Sequence, residues 1–231
     1  MNLMMIFAQI SVADTAAQGA GEISMSYWDL ALKGGWVNFV IFLLSLIAIY
    51  IFFDRYFVIR KASREDTSLM NRIKDYIHEG KIDSALALCQ SHDHPVARML
   101  EKGIRLIGRP IQDVHAAIEN AGRLEIYNLE KGLPALATVA GGAPMLGFLG
   151  TVIGMIMAFY DMANAGNNVD ITTLSDGIYT ALVTTVAGLI VGIIAYFAYN
   201  ILVARVEKVV FLLEARTSEF MDILNEPVEE A

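Results

Sequence analysis

Charge is what this sequence withholds. Three stretches, residues 34–53, 132–160 and 177–204, contain no Asp, Glu, Lys, Arg or His. No basic residue or histidine occurs anywhere between Lys131 and Arg205. Only 18% of the 231 residues are charged and 55% are hydrophobic, against about 25% charged in a soluble domain. That distribution argues against a soluble fold. About 20 apolar residues at ~1.5 Å each cross a ~30 Å hydrocarbon core, so the three stretches are read as three transmembrane helices. The second and third reach roughly 40 Å at helical rise and are expected to continue past the lipid bilayer on one side.

Other scarcities narrow the class further. One cysteine excludes an intrachain disulfide. Cys89, in Ala85-Leu-Ala-Leu-Cys89, reads as a small buried residue. Strand-like alternation and internal repeats are missing, which points to an all-α protein. No basic stripe stands clear of balancing carboxylates, so the reading includes no nucleic acid. The net charge of −8 reflects carboxylates outside the spans and the acidic tail Glu226-Pro-Val-Glu-Glu-Ala231. No nucleophile–base constellation or phosphate-binding Gly-Lys-Ser pattern is present, so no enzyme activity and no cofactor are expected. His92-Asp-His94 offers two imidazoles and a carboxylate, but they lie two residues apart with no matching cluster, and no metal site is assigned. His78 and His115 read as helix-surface residues.

The basic residues set the expected orientation. Thirteen of the 17 lie within 55–131, three more are Arg205, Lys208 and Arg216, and only Lys33 precedes the first span. The positive-inside rule then places 54–131, as a helical domain, and 205–231, as a helix with an acidic tail, in the cytoplasm. The extension 1–33 and the loop 161–176 face outward. Residues 1–13 have the apolarity of a signal peptide but lack its basic start, which leaves cleavage open. Residues 23–32 suit an amphipathic helix on the outer surface, with Trp28 and Trp36 in the interfacial belt. Within the domain, Leu69, Ile73, Tyr76 and Ile77 mark one helix and residues 82–90 a second. Val96, Met99, Leu100 and Ile104 mark a third. Ile111, Val114, Ile118 and Leu124 begin a fourth that is expected to run straight into the second span.

Inside the spans, glycine spacing comes first. Gly150 and Gly154 form one Gly-x-x-x-Gly pair, Gly188 and Gly192 another, and Gly147 extends the first stripe beside Pro144. Small residues let transmembrane helices approach closely. Threonines come second. A lone hydroxyl in a span commonly bonds its own i−4 carbonyl, but Thr151 and Thr185 each sit in a glycine-flanked segment near mid-membrane. Thr180 and Thr184 lie on the same span as Thr185. A proton crosses an apolar bundle only with a titratable relay or water. This chain supplies hydroxyls there, so the carboxylate is expected from another chain.

These residues carry a family resemblance. Pro144-x-x-Gly-x-x-Gly-Thr-x-x-Gly154, the approach Leu129-Glu-Lys-Gly-Leu-Pro-Ala-Leu-Ala-Thr138, and Gly177-Ile-x-x-Ala-Leu-x-x-Thr-x-x-Gly-Leu189 resemble the ExbB/TolQ branch of the MotA/TolQ/ExbB proton-channel family. Asp54-Arg55 is similar to the acidic–basic pair that often ends the family's first span; interfacial anchoring is the other reading. The resemblance covers roughly residues 30–225. It implies a three-span protein of the bacterial inner membrane with long second and third helices, and a homo-oligomer, a pentamer. The partners it implies are an ExbD-like single-span protein that supplies a membrane Asp and a TonB-like protein. The work implied is proton-driven transport across the outer membrane. A TolQ-like role in envelope maintenance, a non-conducting oligomeric scaffold and a small transporter remain as alternatives. The family's pore-lining threonines match Thr151 and Thr185. Many relatives carry glutamate at the position of Thr180; here Asp176, one turn earlier, sits at the outer mouth.

Overall fold

The computed structural model describes residues 35–64, 67–164 and 171–225. The extension 1–33, with the amphipathic helix expected at 23–32, and the tail 226–231 lie outside the described residues. Among the described residues every regular element is a helix: α1 Gly35–Ala62, α2 Thr67–His78, α3 Ile82–Ser91, α4 Pro95–Ile104, α5 Ile111–Glu130, α6 Leu133–Asn164 and α7 Ile171–Asn225. Three are long and apolar enough to cross a membrane: α1, the α5–α6 run, and α7. The chain is therefore an all-α protein with three membrane-spanning helices. α7 is unbroken over 55 residues, about 80 Å at helical rise. Its charge-free part and its polar C-terminal third form one rod, so the third span carries directly into the helical domain.

The second span departs from the expectation of a straight run. α5 ends at Glu130, and Gly132 adopts φ +89 before α6 begins. A left-handed glycine ends a helix without a Cβ penalty, and Pro134 starts the next one where a missing N–H costs nothing. The helices also reach further at the other end. α6 extends to Asn164 and α7 begins at Ile171, so both ends of the segment expected as a loop are helical.

The helical domain is built on large side chains. Met99, Leu100, Ile104, Ile118 and Phe220 are each at most 1% exposed. They come from α4, α5 and the far end of α7, so the third span supplies part of the domain's core. Phe220 and Ile118 close over Gly103, where an added Cβ would lie 3.2 and 2.5 Å from them. The His94 imidazole caps α4 by accepting from the Val96 N–H at 3.3 Å, with Pro95 in the first turn.

Ion pairs tie this domain to the first span. Lys61, at the end of α1, donates to Asp93 at 2.6 Å. Arg98 reaches Asp93 at 2.6 Å and grips Glu125 through two bonds, at 2.9 and 2.6 Å. Bidentate geometry makes the Arg98–Glu125 pair the stronger link. The Arg55 guanidinium bonds Asp54 at 2.6 Å and donates to the Asn128 carbonyl at 3.1 Å, and Arg205 stacks 4.4 Å from the Tyr56 ring. Asp54-Arg55 thus joins α1 to α5, a role its sequence setting did not reveal.

Candidate functional site

α6 and α7 meet along a seam from which side chains have been removed. A Cβ on Gly188 would stand 2.5 Å from the Ala143 carbonyl oxygen, and one on Gly147 2.9 Å from the Thr184 carbonyl oxygen. Both obstacles are backbone, which cannot step aside. Gly154 faces Ala181 and Gly150 faces Thr184, at 2.8 and 2.6 Å from a built Cβ, and Gly192 receives the ring of Pro144. Pro144 breaks no packing here: its ring fills the space that Gly192 leaves. The six packing residues singled out by sequence therefore lie on one interface between the two spans. The outward faces, by contrast, expose Phe148, Ile156, Ile190 and Ile194, as a helix in contact with lipid or another subunit requires.

Thr151 and Thr185 meet within this seam, both half-buried. Thr151 Oγ1 lies 3.2 Å from the Gly147 carbonyl oxygen one turn back, and Thr185 Oγ1 lies 3.0 Å from the same oxygen across the seam. The two hydroxyl oxygens also contact each other. Each hydroxyl has one hydrogen, so two hydrogens serve three oxygen–oxygen contacts. One contact at a time has no proton between its oxygens. Either hydroxyl can rotate to donate outward while the other holds the carbonyl. The pair thus keeps one donor available, and it adds no charge.

The other sequence candidates fall in two places. Thr184 is 2% exposed, donates to the Ala181 carbonyl at 2.6 Å, and packs on Gly150. Its hydroxyl is enclosed by the seam. Asp176 and Thr180 share a recess of about 540 Å³ with Asp161, Thr172, Gly154 and Gly177, at the seam's end away from the helical domain. Asp161 was missed because it falls just past the charge-free stretch, in a segment read as loop. Its spacing from Gly154, two helical turns, was the available signal.

The domain's candidates serve structure. His92 Nδ1 sits 3.0 Å from the Leu88 carbonyl and His94 caps α4; no group of three His, Cys, Asp or Glu positioned for a metal occurs among the described residues. Cys89 is 2% exposed, and burial pushes its thiol up to about 12. The Lys61 ammonium, first by its hydrogen bond, holds Asp93 below the usual carboxylate range, and Arg105 does the same for Glu101.

Residues 91–215 match the model of the MotA/TolQ/ExbB proton channel family. The chain belongs to this family. The matched region runs from the α3–α4 junction into the domain portion of α7 and so contains the whole seam. Among known relatives, a putative ExbB-like biopolymer transport protein of Methanothermobacter thermautotrophicus is 29% identical over 187 residues, which cover 80% of this chain and 66% of that protein. The Tol-Pal system protein TolQ of Pseudomonas aeruginosa is 34% identical over 131 residues, covering 54% of this chain and 56% of the relative. The biopolymer transport protein ExbB of Aquifex aeolicus is 41% identical over 80 residues, covering 35% and 53%. The chain thus spans about half to two thirds of these relatives. Fold and family together make it a multi-pass membrane subunit of the proton-channel family.

Proposed function

We propose that this chain is the wall-forming subunit of a proton channel in a bacterial inner membrane, an energy converter and not an enzyme. The observation that carries this reading is the Thr151–Thr185 pair on the Gly147 carbonyl, set in two helices without a charge near mid-membrane. A hydroxyl donates to an ionised carboxylate and accepts from a protonated one. A pair with one rotatable donor therefore serves both halves of a protonation cycle, whereas a fixed cation would hold the carboxylate as an anion. The carboxylate comes from an ExbD-like single-span partner with a membrane Asp. Copies of this chain, five in the reading taken from sequence, surround it with their exposed apolar faces. Lys and Arg crowd the helical-domain side of all three spans, which supports a cytoplasmic domain and an outward N-terminus. Each proton that falls through 100 mV releases ~2.3 kcal/mol, enough over a few steps to drive a conformational cycle that a TonB-like protein passes to the outer membrane.

The similarity to TolQ supports a second reading, in which the same motor serves envelope maintenance. Both readings require a single-span partner. The test is reconstitution of this chain with and without the single-span protein that co-purifies with it. Acidification of the vesicle interior under an imposed potential is expected only with both chains present, and only while the partner's membrane Asp is intact. Equal flux from this chain alone would show that it carries its own proton site and would refute the proposal.

A further inference from the structure

The end of α5 is built unlike the end of α2, although a left-handed glycine follows both, Gly132 and Gly80. At α2, the Lys81 N–H returns to the Tyr76 carbonyl at 2.8 Å and the Gly80 N–H to the Ile77 carbonyl at 3.0 Å. That backbone pair closes a helix from within. At α5, Lys131 has already left helical conformation, with ψ 124, before Gly132 turns at φ +89, so the same pair does not form. The Asn128 carbonyl is taken from outside instead: the Arg55 guanidinium of α1 donates to it at 3.1 Å. Arg55 also donates to one Asp54 oxygen at 2.8 and 2.6 Å, which fixes the plane of the fork, and its side chain is 17% exposed. Ile51, one turn earlier on α1, lies against the joint itself, 3.5 Å from a Cβ built on Gly132. The joint cannot heal into one regular helix. Pro134 has no N–H to return to the Glu130 carbonyl, and its ring would crowd that oxygen. Of the two long helices that carry spans into the domain, only α7 is continuous. A change of angle between spans and domain is therefore taken up at Lys131–Gly132, and in α7 as a gentle curve.

We infer that Lys131–Gly132 is a hinge between the spans and the helical domain, and that the first span sets its angle, with Arg55 as the catch. Farther along α1, the Lys61–Asp93 pair gives the same span a second hold on the domain. A shift of α1 pulls on the last turn of α5 while the seam keeps α6 locked to α7. Arg55 acts as a positioning residue, through the carbonyl it caps. Any use of the hinge in an energy cycle rests on the function proposed above. The hinge and its catch do not, and the experiment reads them without a flux measurement.

Distances between spin labels test both. In a Cys89→Ala background, which removes the chain's one cysteine, one label pair spans the joint, at Asn120→Cys and Ala135→Cys. A second pair lies along α7, at Ala204→Cys and Ser218→Cys; all four positions are exposed. Labelled chains are diluted with unlabelled ones in whole assemblies, so that the distances read lie within one chain. With Arg55 intact, each pair is expected to give a single narrow distance. Arg55→Gln should widen the distribution across the joint by several ångströms, or split it, and leave the α7 pair as it was. Asp54→Asn keeps the guanidinium but removes its anchor. It should widen the same distribution by less, and it stands in if Arg55→Gln does not assemble. A joint distribution that is already broad with Arg55 intact would overturn the catch. So would one that Arg55→Gln, or its stand-in, leaves unaltered. Equal widening of both pairs would mean that the domain loosens throughout and would overturn the hinge.

Discussion

The helical domain and the α6–α7 seam are held together by opposite means, although α7 runs through both. In the domain, bulky side chains such as Phe220, Ile118 and Leu100 fill a core, and flexible neighbours can adjust when one of them changes. In the seam, glycines bring two backbones to contact distance, and the nearest atoms to Gly188 and Gly147 belong to the backbone itself. The seam therefore has no slack. This difference suits the proposed chemistry: a hydroxyl pair needs a rigid register to share one carbonyl, and the domain's adjustable packing would not give it.

The largest effect that sharpens the comparison is Gly188→Leu. A branched side chain cannot fit against the Ala143 carbonyl, so α6 and α7 must separate. Loss of the assembled species in native mass measurement is expected. Assembly of unchanged mass and thermal stability would show that the seam yields as the domain does. Phe220→Ala comes next. It should cost about 3–5 kcal/mol of domain stability, in the range of buried aromatic truncations, while the spans still assemble. Disassembly of the spans by this variant would break the distinction between the two regions.

Much of this was legible in the sequence because lipid imposes a simple rule: a helix in it carries almost no charge. Three charge-free stretches gave three spans, and Gly-x-x-x-Gly spacing gave the seam. The break at Lys131–Gly132 was missed although a glycine after a helix end is a stop signal, because that glycine also opens the uncharged stretch. Thr184 and Thr185 are neighbours, and adjacent residues on a helix point about 100° apart. One turns into the seam and the other reaches the shared carbonyl. Sequence gave no means of finding which carbonyl that was. Nor could spacing pair Lys61 with Asp93, or Arg98 with Glu125, since those links join different helices.

The smallest expected effect concerns these surface charges. Asp93 and Glu101 are both held below their ordinary values. A depressed carboxylate contributes stability that is present above its unfolded value, about 3.9 for Asp and 4.3 for Glu, and is lost as pH falls through the folded one. Domain melting temperature should therefore stay flat from pH 8 to 5 and fall only slightly below about pH 4. Asp93→Asn should change it little at pH 7, because the Lys61–Asp93 pair is largely exposed. A large loss at neutral pH would mean that the domain depends on its ion pairs more than on its core.

In the proposed channel, Thr151 and Thr185 are present for their hydroxyls. Valine nearly preserves the shape of threonine, so Thr151→Val with Thr185→Val removes both donors and leaves the seam filled. The decisive measurement is proton flux in vesicles that hold the full complex with its single-span partner, paired with a check of assembly mass. Intact assembly is expected, with a flux reduced about tenfold or more, the rate equivalent of a hydrogen bond of ~1.4 kcal/mol, and each single variant in between. Undiminished flux in a properly assembled double-valine complex would contradict that expectation.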